Sequence, residues 1–199
     1  MMKKNKTWLL ALALSAVFTA STLLPSVSLA ATVVEGTTET SESSTPNQTD
    51  DSVISEGEEV ELTADELDFE NYLDQLLAIA QYEEKAFSAL PSTLYISSSN
   101  RKSLFLKFNN TVVPNYTKYV SQLKQIKPEN VELQKIHNKL TRGSYNQLEG
   151  YLLYKRALSK YTINRTLLTQ GNAKVKTGQE LIEQSKEEFD EYAEQLGYE

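Results

Sequence analysis

The chain reads as all-α, an antiparallel up-down-up-down four-helix bundle preceded by a signal peptide and a disordered acidic linker. Three observations predict it. Apolar residues recur at spacings of three and four over long stretches, the turn signals between the last three stretches are very short, and cysteine is absent. Without disulfides or thiolate metal sites a folded domain of this length must hold together by its own core. The absence of cysteine also rules out cysteine nucleophiles and haem attachment through paired cysteines.

Residues 1–30 open with MMKKNK, continue as an uncharged apolar run over 8–24, and close on Pro25 and Ser28-Leu29-Ala30. A basic start, a short apolar run and small residues before a cut are the marks of a secretory signal peptide. The mature chain is expected to begin at Ala31. An uncleaved anchor is the alternative, since the run approaches the length of a membrane span. No second long apolar run follows, so the mature form is expected to carry no transmembrane segment.

Residues 31–61 are rich in Thr, Ser and Glu and contain neither an aromatic nor a basic residue. Such a segment buries too little apolar surface to offset the entropy of ordering and is expected to be a disordered spacer. Residues 62–199 form the expected bundle.

The first helix starts at Thr63-Ala64-Asp65-Glu66, a capping box. Its stripe is Phe69, Leu73, Leu76, Ala80, Glu83, Phe87 and Leu90, with Pro91 forbidding continuation. Ser99 or Asn100 caps the second helix, whose stripe is Phe105, Phe108, Val112, Tyr116, Tyr119, Leu123 and Ile126. Pro114 lies inside it and predicts a kink. Lys127-Pro128 predicts a tight reversal, with the proline in the first turn of the third helix. That helix carries Leu133, Ile136, His137, Leu140, Ser144, Leu148, Tyr151 and Leu158 on one face.

After a short turn at 162–164, the fourth helix repeats Leu168, Val175, Ile182, Phe189 and Leu196 seven apart, with Gly171, Gly178, Ser185 and Tyr192 on the companion row. Gly197 ends it in the left-handed region. Mid-helix glycines cost roughly 1 kcal/mol each relative to alanine, so the pair predicts either a closely approaching helix or a cavity. Short connections make neighbours antiparallel, and the rods should be roughly 40–50 Å long.

The net charge of −7 hides a block pattern. Residues 31–84 carry 16 acids and no Lys or Arg, residues 85–176 carry 16 basic residues and three acids, and residues 177–199 carry eight acids and one lysine. Acidic first and fourth helices are therefore expected to flank basic second and third ones. The acidic total and the export signal speak against nucleic acid as a partner.

Equal counting from the turns puts Glu83, Asn110, Ser144, Gln147 and Gly178 at one height, with His137, the one histidine, one to two turns lower. A polar layer inside an apolar bundle is where such folds hold ligands, so Glu83, His137, Ser144 and Gln147 are candidate ligand-binding residues for a small molecule or metal. The same layer could instead fix helix register. Di-iron bundles need a Glu-x-x-His pair on each of two helices, and none occurs here. No hydrolytic motif, phosphate loop or zinc-binding His-Glu-x-x-His is present either. No catalytic residue, dedicated metal site or cofactor is therefore expected.

A second candidate site is a basic and aromatic surface on the third helix, formed by Arg142, Tyr154, Lys155, Arg156 and Lys160. It suits an anionic cell-envelope polymer or an envelope protein. Tyr116, Tyr119, Tyr151 and Tyr192 are read as core residues with hydroxyls at the rim.

The run Leu123-Lys124-Gln125-Ile126-Lys127-Pro128, then Glu132-Leu133 and Ile136-His137, a long tyrosine- and leucine-bearing helix and a closing Leu196-Gly197 together resemble a group of secreted or lipid-anchored helical proteins of Gram-positive bacilli. The resemblance spans residues 63–197. It implies a helical bundle at the cell envelope, secreted and associated with the cell wall, and carries over no catalytic residue. The chain departs from the lipid-anchored members in lacking their cysteine.

Overall fold

The computed structural model describes residues 61–198. The expected signal peptide and acidic linker lie outside them, apart from Glu61. Among the described residues there are four helical rods and no strand.

Helix α1, Ala64–Ser88, begins with the expected reciprocal cap. Thr63 N–H donates to Glu66 Oε2 at 2.7 Å and Glu66 N–H to Thr63 Oγ1 at 3.3 Å. The buried face is Phe69, Tyr72, Leu73, Leu76, Ile79 and Ala86. It is wider than the expected stripe, and Glu83 and Phe87 lie half-buried along its edge.

Rod α2 covers residues 101–123 as an α-helical turn pair at Arg101–Lys107, a π turn at Phe108–Val112 and a further α-helix at Val113–Leu123. Pro114 has no N–H to offer, and the turn before it widens so that Val113 N–H reaches Phe108 O. Asn115 Nδ2 donates to Thr111 O at 2.7 Å. The extra residue in the wide turn keeps Phe108, Val112, Tyr116, Tyr119 and Leu123 all buried. Asn100 precedes the rod but makes no side-chain cap. It instead accepts from Ser97 N–H and donates to Tyr95 O, closing the preceding loop.

Helix α3 is Val131–Leu158, capped by Asn130, whose side chain accepts from Glu132 and Leu133 N–H. Pro128 therefore sits ahead of the helix rather than in its first turn, because an Asn side chain can satisfy orphan N–H groups and proline cannot. The Asp68 carboxylate of α1 accepts from Glu129 N–H at 3.0 Å and Asn130 N–H at 2.9 Å. The start of α1 and the α2–α3 turn are thereby joined.

Helix α4 is Arg165–Gln195, capped by Asn164. Gly197 has φ 82°, and Tyr198 N–H to Ala193 O with Gly197 N–H to Glu194 O completes the expected glycine stop. Tyr198 then folds back onto Phe69, ring centroids 5.0 Å apart.

Two kinds of packing divide the interior. Helices α3 and α4 meet through small residues: a Cβ on Gly178 would lie 2.6 Å from Gly143 O, and one on Gly150 would lie 3.0 Å from Gly171 O. Ser185 Oγ donates to Ile136 O, and Asn164 N–H to Ala157 O. Each step of seven down α3 is thus matched by a step of seven up α4. The glycines mark close approach, which overturns the cavity alternative.

Helices α1 and α2 instead rest on this pair through rings. Phe69 stacks on Phe189 at 5.0 Å, Phe108 meets Tyr154 at 5.5 Å, and Tyr116 meets Tyr151 edge-on at 5.1 Å. Large side chains hold backbones apart, so larger polar side chains can be enclosed on this side, whereas the glycine side admits only the small Ser185 hydroxyl.

Candidate functional site

The expected polar layer exists in altered form. Tyr116 on α2 donates to Gln147 Oε1 on α3 at 2.6 Å, both residues buried. Around this bond stand Glu83 of α1, Tyr119 of α2, and Ser144 and Tyr151 of α3. Burial pushes the Glu83 carboxyl up to about 8, so it carries its proton at neutral pH. Burial, and after it the proximity of Glu83, raises the phenols of Tyr116, Tyr119 and Tyr151 far above their ordinary range. Ser144 is fully enclosed with its hydroxyl beside the Tyr116 and Tyr119 phenols, and the buried Tyr151 hydroxyl has no hydrogen-bond partner among the described residues. Buried polar atoms of that kind are rare and costly.

The structure thus brings Glu83, Ser144 and Gln147 together. Asn110 is not with them: it is exposed and accepts from Asn109. Gly178 lies behind Gln147, with its Cβ position 2.7 Å from Gln147 Cγ. His137 forms a separate pair, its Nδ1 3.2 Å from the Tyr72 hydroxyl and its Nε2 3.3 Å from Thr141 Oγ1. Two neutral hydroxyls engage the ring, and burial lowers its pKa. The rim expectation for the tyrosines fails at Tyr116 and Tyr151, whose hydroxyls are enclosed in the polar layer. Sequence reading missed Tyr116 as the partner of Gln147, because equal counting placed Asn110 rather than Tyr116 at that height.

The basic surface is also redistributed. Tyr154, expected to face solvent, is only 2% exposed and donates to Asn172 Oδ1 of α4 at 2.7 Å. The glycines of α4 leave room for its ring: a Cβ on Gly171 would meet it at 2.7 Å. Arg156 and Lys160, with Ser159 and Thr162, line a pocket of about 310 Å³ at the α3–α4 turn. Tyr161 beside it is 95% exposed. Arg101 Nη1 donates to Leu158 O at 2.6 Å, which sets the start of α2 at this same end. Arg142 lies elsewhere, in a groove of about 710 Å³ between α2 and α3.

Charge is therefore sorted along the rods more than between them. No acid occurs in residues 85–128 or 150–179, and these stretches bring Arg101, Lys102, Lys155, Arg156, Lys160 and Arg165 to the α3–α4 turn. The opposite end holds Asp65, Glu66, Asp68, Glu70, Glu129 and Glu132 and the acids of α4 beyond Glu180. The expected flanking of basic helices by acidic ones reduces to two ion pairs between helices among the described residues. They are Lys139 with Glu188 and Lys174 with Glu149, both joining α3 to α4.

Among the described residues, no group of three or more His, Asp or Glu is placed to hold a metal ion. No described helix is long and apolar enough to cross a membrane. No family model, curated protein or solved structure matches the chain.

Proposed function

We propose that the chain is an exported, non-enzymatic module that binds an anionic polymer of the cell envelope through the basic end around Lys155, Arg156 and Lys160. We also propose that its rods form an antiparallel up-down-up-down four-helix bundle. The matched steps of seven between α3 and α4, and the joining of 101 to 158 and of 68 to 130, support that topology. One observation carries the functional reading: Arg101, Lys155, Arg156, Lys160 and Arg165 gather at the α3–α4 turn, in stretches that hold no acid, opposite the acid-bearing end where α1 begins. Each cation near an anionic surface contributes about 1 kcal/mol. Retention on isolated cell wall should fall as salt rises, and the paired change Lys155→Glu with Arg156→Glu should weaken it about tenfold or more. Retention unaffected by that change would rule the reading out.

The enclosed Ser144 and Tyr151 hydroxyls favour a second reading, a small-molecule or metal site in the polar layer. A thermal-unfolding screen would then find a compound that raises the transition by binding the native state, with the rise lost in Glu83→Ala and Gln147→Leu. A screen without such a compound counts against it.

A further inference from the structure

The pocket of about 310 Å³ at the α3–α4 turn has room for a small molecule and not merely a single ion. Ala157 and Leu167 give it an apolar wall, and no acid lines it. The polar groups left over around it are donors. No ion pair among the described residues engages Arg156 or Lys160. Asn164 Oδ1 accepts from Leu167 N–H at 3.0 Å, so the Asn164 amide NH2 is what remains to meet a ligand. The Thr162 hydroxyl stands beside them, and only Ser159 has already given its proton, to Arg156 O at 2.9 Å. Such a wall calls for a ligand that accepts hydrogen bonds and carries negative charge.

Two features narrow the class of anion. Arg156 lies at the end of α3, Lys160 and Thr162 in the turn and Asn164 at the cap of α4, so the donors come from more than one side. A tetrahedral phosphate offers oxygens in as many directions, whereas the two oxygens of a carboxylate lie in one plane. Tyr161, between Lys160 and Thr162 in the chain, is 95% exposed and sets an apolar ring face at the edge of the pocket. A ring held open in this way can cover the C–H face of a sugar. We propose that the pocket takes a sugar phosphate unit, with the phosphate on Arg156, Lys160 and Thr162 and the sugar against Tyr161. This inference rests on the reading of the basic end as a polymer-binding surface and names the repeat recognised there, that of a phosphate-bearing glycan. A polymer presents many such units at high local concentration, so weak affinity for each one is sufficient.

Titrating glucose 1-phosphate into the isotope-labelled exported chain should shift the amide signals of residues 156–167 saturably at millimolar concentrations. Glucuronate, a carboxylate on the same kind of ring, should bind about fivefold more weakly or worse. Arg156→Gln with Lys160→Gln should weaken glucose 1-phosphate about tenfold or more. Tyr161→Ala should weaken it about threefold and leave inorganic phosphate unchanged. The three substituted residues are exposed, and unmoved signals from residues 64–88 report that each variant remains folded. Shifts that never saturate, glucuronate binding as tightly as glucose 1-phosphate, or a Tyr161→Ala chain that binds both phosphates as before would each overturn the proposal. The polymer reading would then still stand if the Arg156→Gln and Lys160→Gln pair loses retention on cell wall. Saturable binding with retention unchanged in that pair would instead overturn the polymer reading and assign the pocket to a free sugar phosphate.

Discussion

At the scale of single residues, Glu83 and His137 place opposite demands on pH. The Glu83 carboxyl is raised from 4.5 to about 8 in the folded chain, so between those values the native state holds a proton that the unfolded state has released. Its contribution is complete below pH 4.5 and is lost as pH rises through 8, at no more than about 1.4 kcal/mol per pH unit. The His137 ring is lowered from 6.5 by burial, so the unfolded state takes up the proton first and the ring's contribution to stability falls as pH drops below 6.5. Between pH 6.5 and 8 the Glu83 effect acts without opposition from His137. Urea unfolding should therefore show stability declining across that window, with the slope flattened in Glu83→Gln. Below pH 6.5 the two effects oppose each other, so the wild-type curve should level off there, whereas in His137→Asn stability should go on rising toward acid. A Glu83→Gln chain that keeps the full decline would show that the carboxyl is not the group responsible. Glu83 was legible as an odd polar residue on an apolar stripe. Its protonation was not, because that depends on rings contributed by two other helices.

At the scale of elements, the α3–α4 seam and the π turn of α2 show how small residues and a missing donor act. Alanine gains roughly 1 kcal/mol over glycine in helix propensity, yet Gly178→Ala should destabilise the protein by about 2 kcal/mol net in thermal unfolding. Its Cβ would stand 2.6 Å from the Gly143 carbonyl, a backbone atom that cannot turn aside. Gly150→Ala should cost less, since the nearest carbonyl, Gly171 O, stands 3.0 Å from the Cβ position rather than 2.6 Å, although Val175 Cγ2 must also give way. Equal losses at the two sites would show that backbone clash does not set the cost. The seven-residue repeat of Gly171 and Gly178 announced a special seam, and the capping box and the Gly197 stop followed from local chemistry. The π turn did not. Pro114 signals a lost hydrogen bond, but bending and widening both accommodate it, and only the need to bury Phe108 and Tyr116 on one side selects widening.

At the scale of the whole molecule, the two ends carry opposite charge, and a polarity test follows. Reversing acids at the far end, Glu187→Lys with Glu191→Lys, should leave retention on an anionic polymer unchanged or slightly increased. The Lys155→Glu and Arg156→Glu pair should abolish most of it, measured by the salt concentration needed for elution. Equal responses at both ends would mean that net charge, not its placement, drives binding. From the sequence alone came the elements: four helices, the capping box of the first, the terminal glycine and most of the buried faces, all governed by contacts within a few residues of one another. Only the tertiary structure decided that charge sorts by end, that Tyr154 turns inward to Asn172, and that Tyr116 finds Gln147. Those outcomes depend on which residues distant in the chain come to stand side by side, and that was settled by how closely glycine lets two backbones approach and how far apart aromatic rings hold the others.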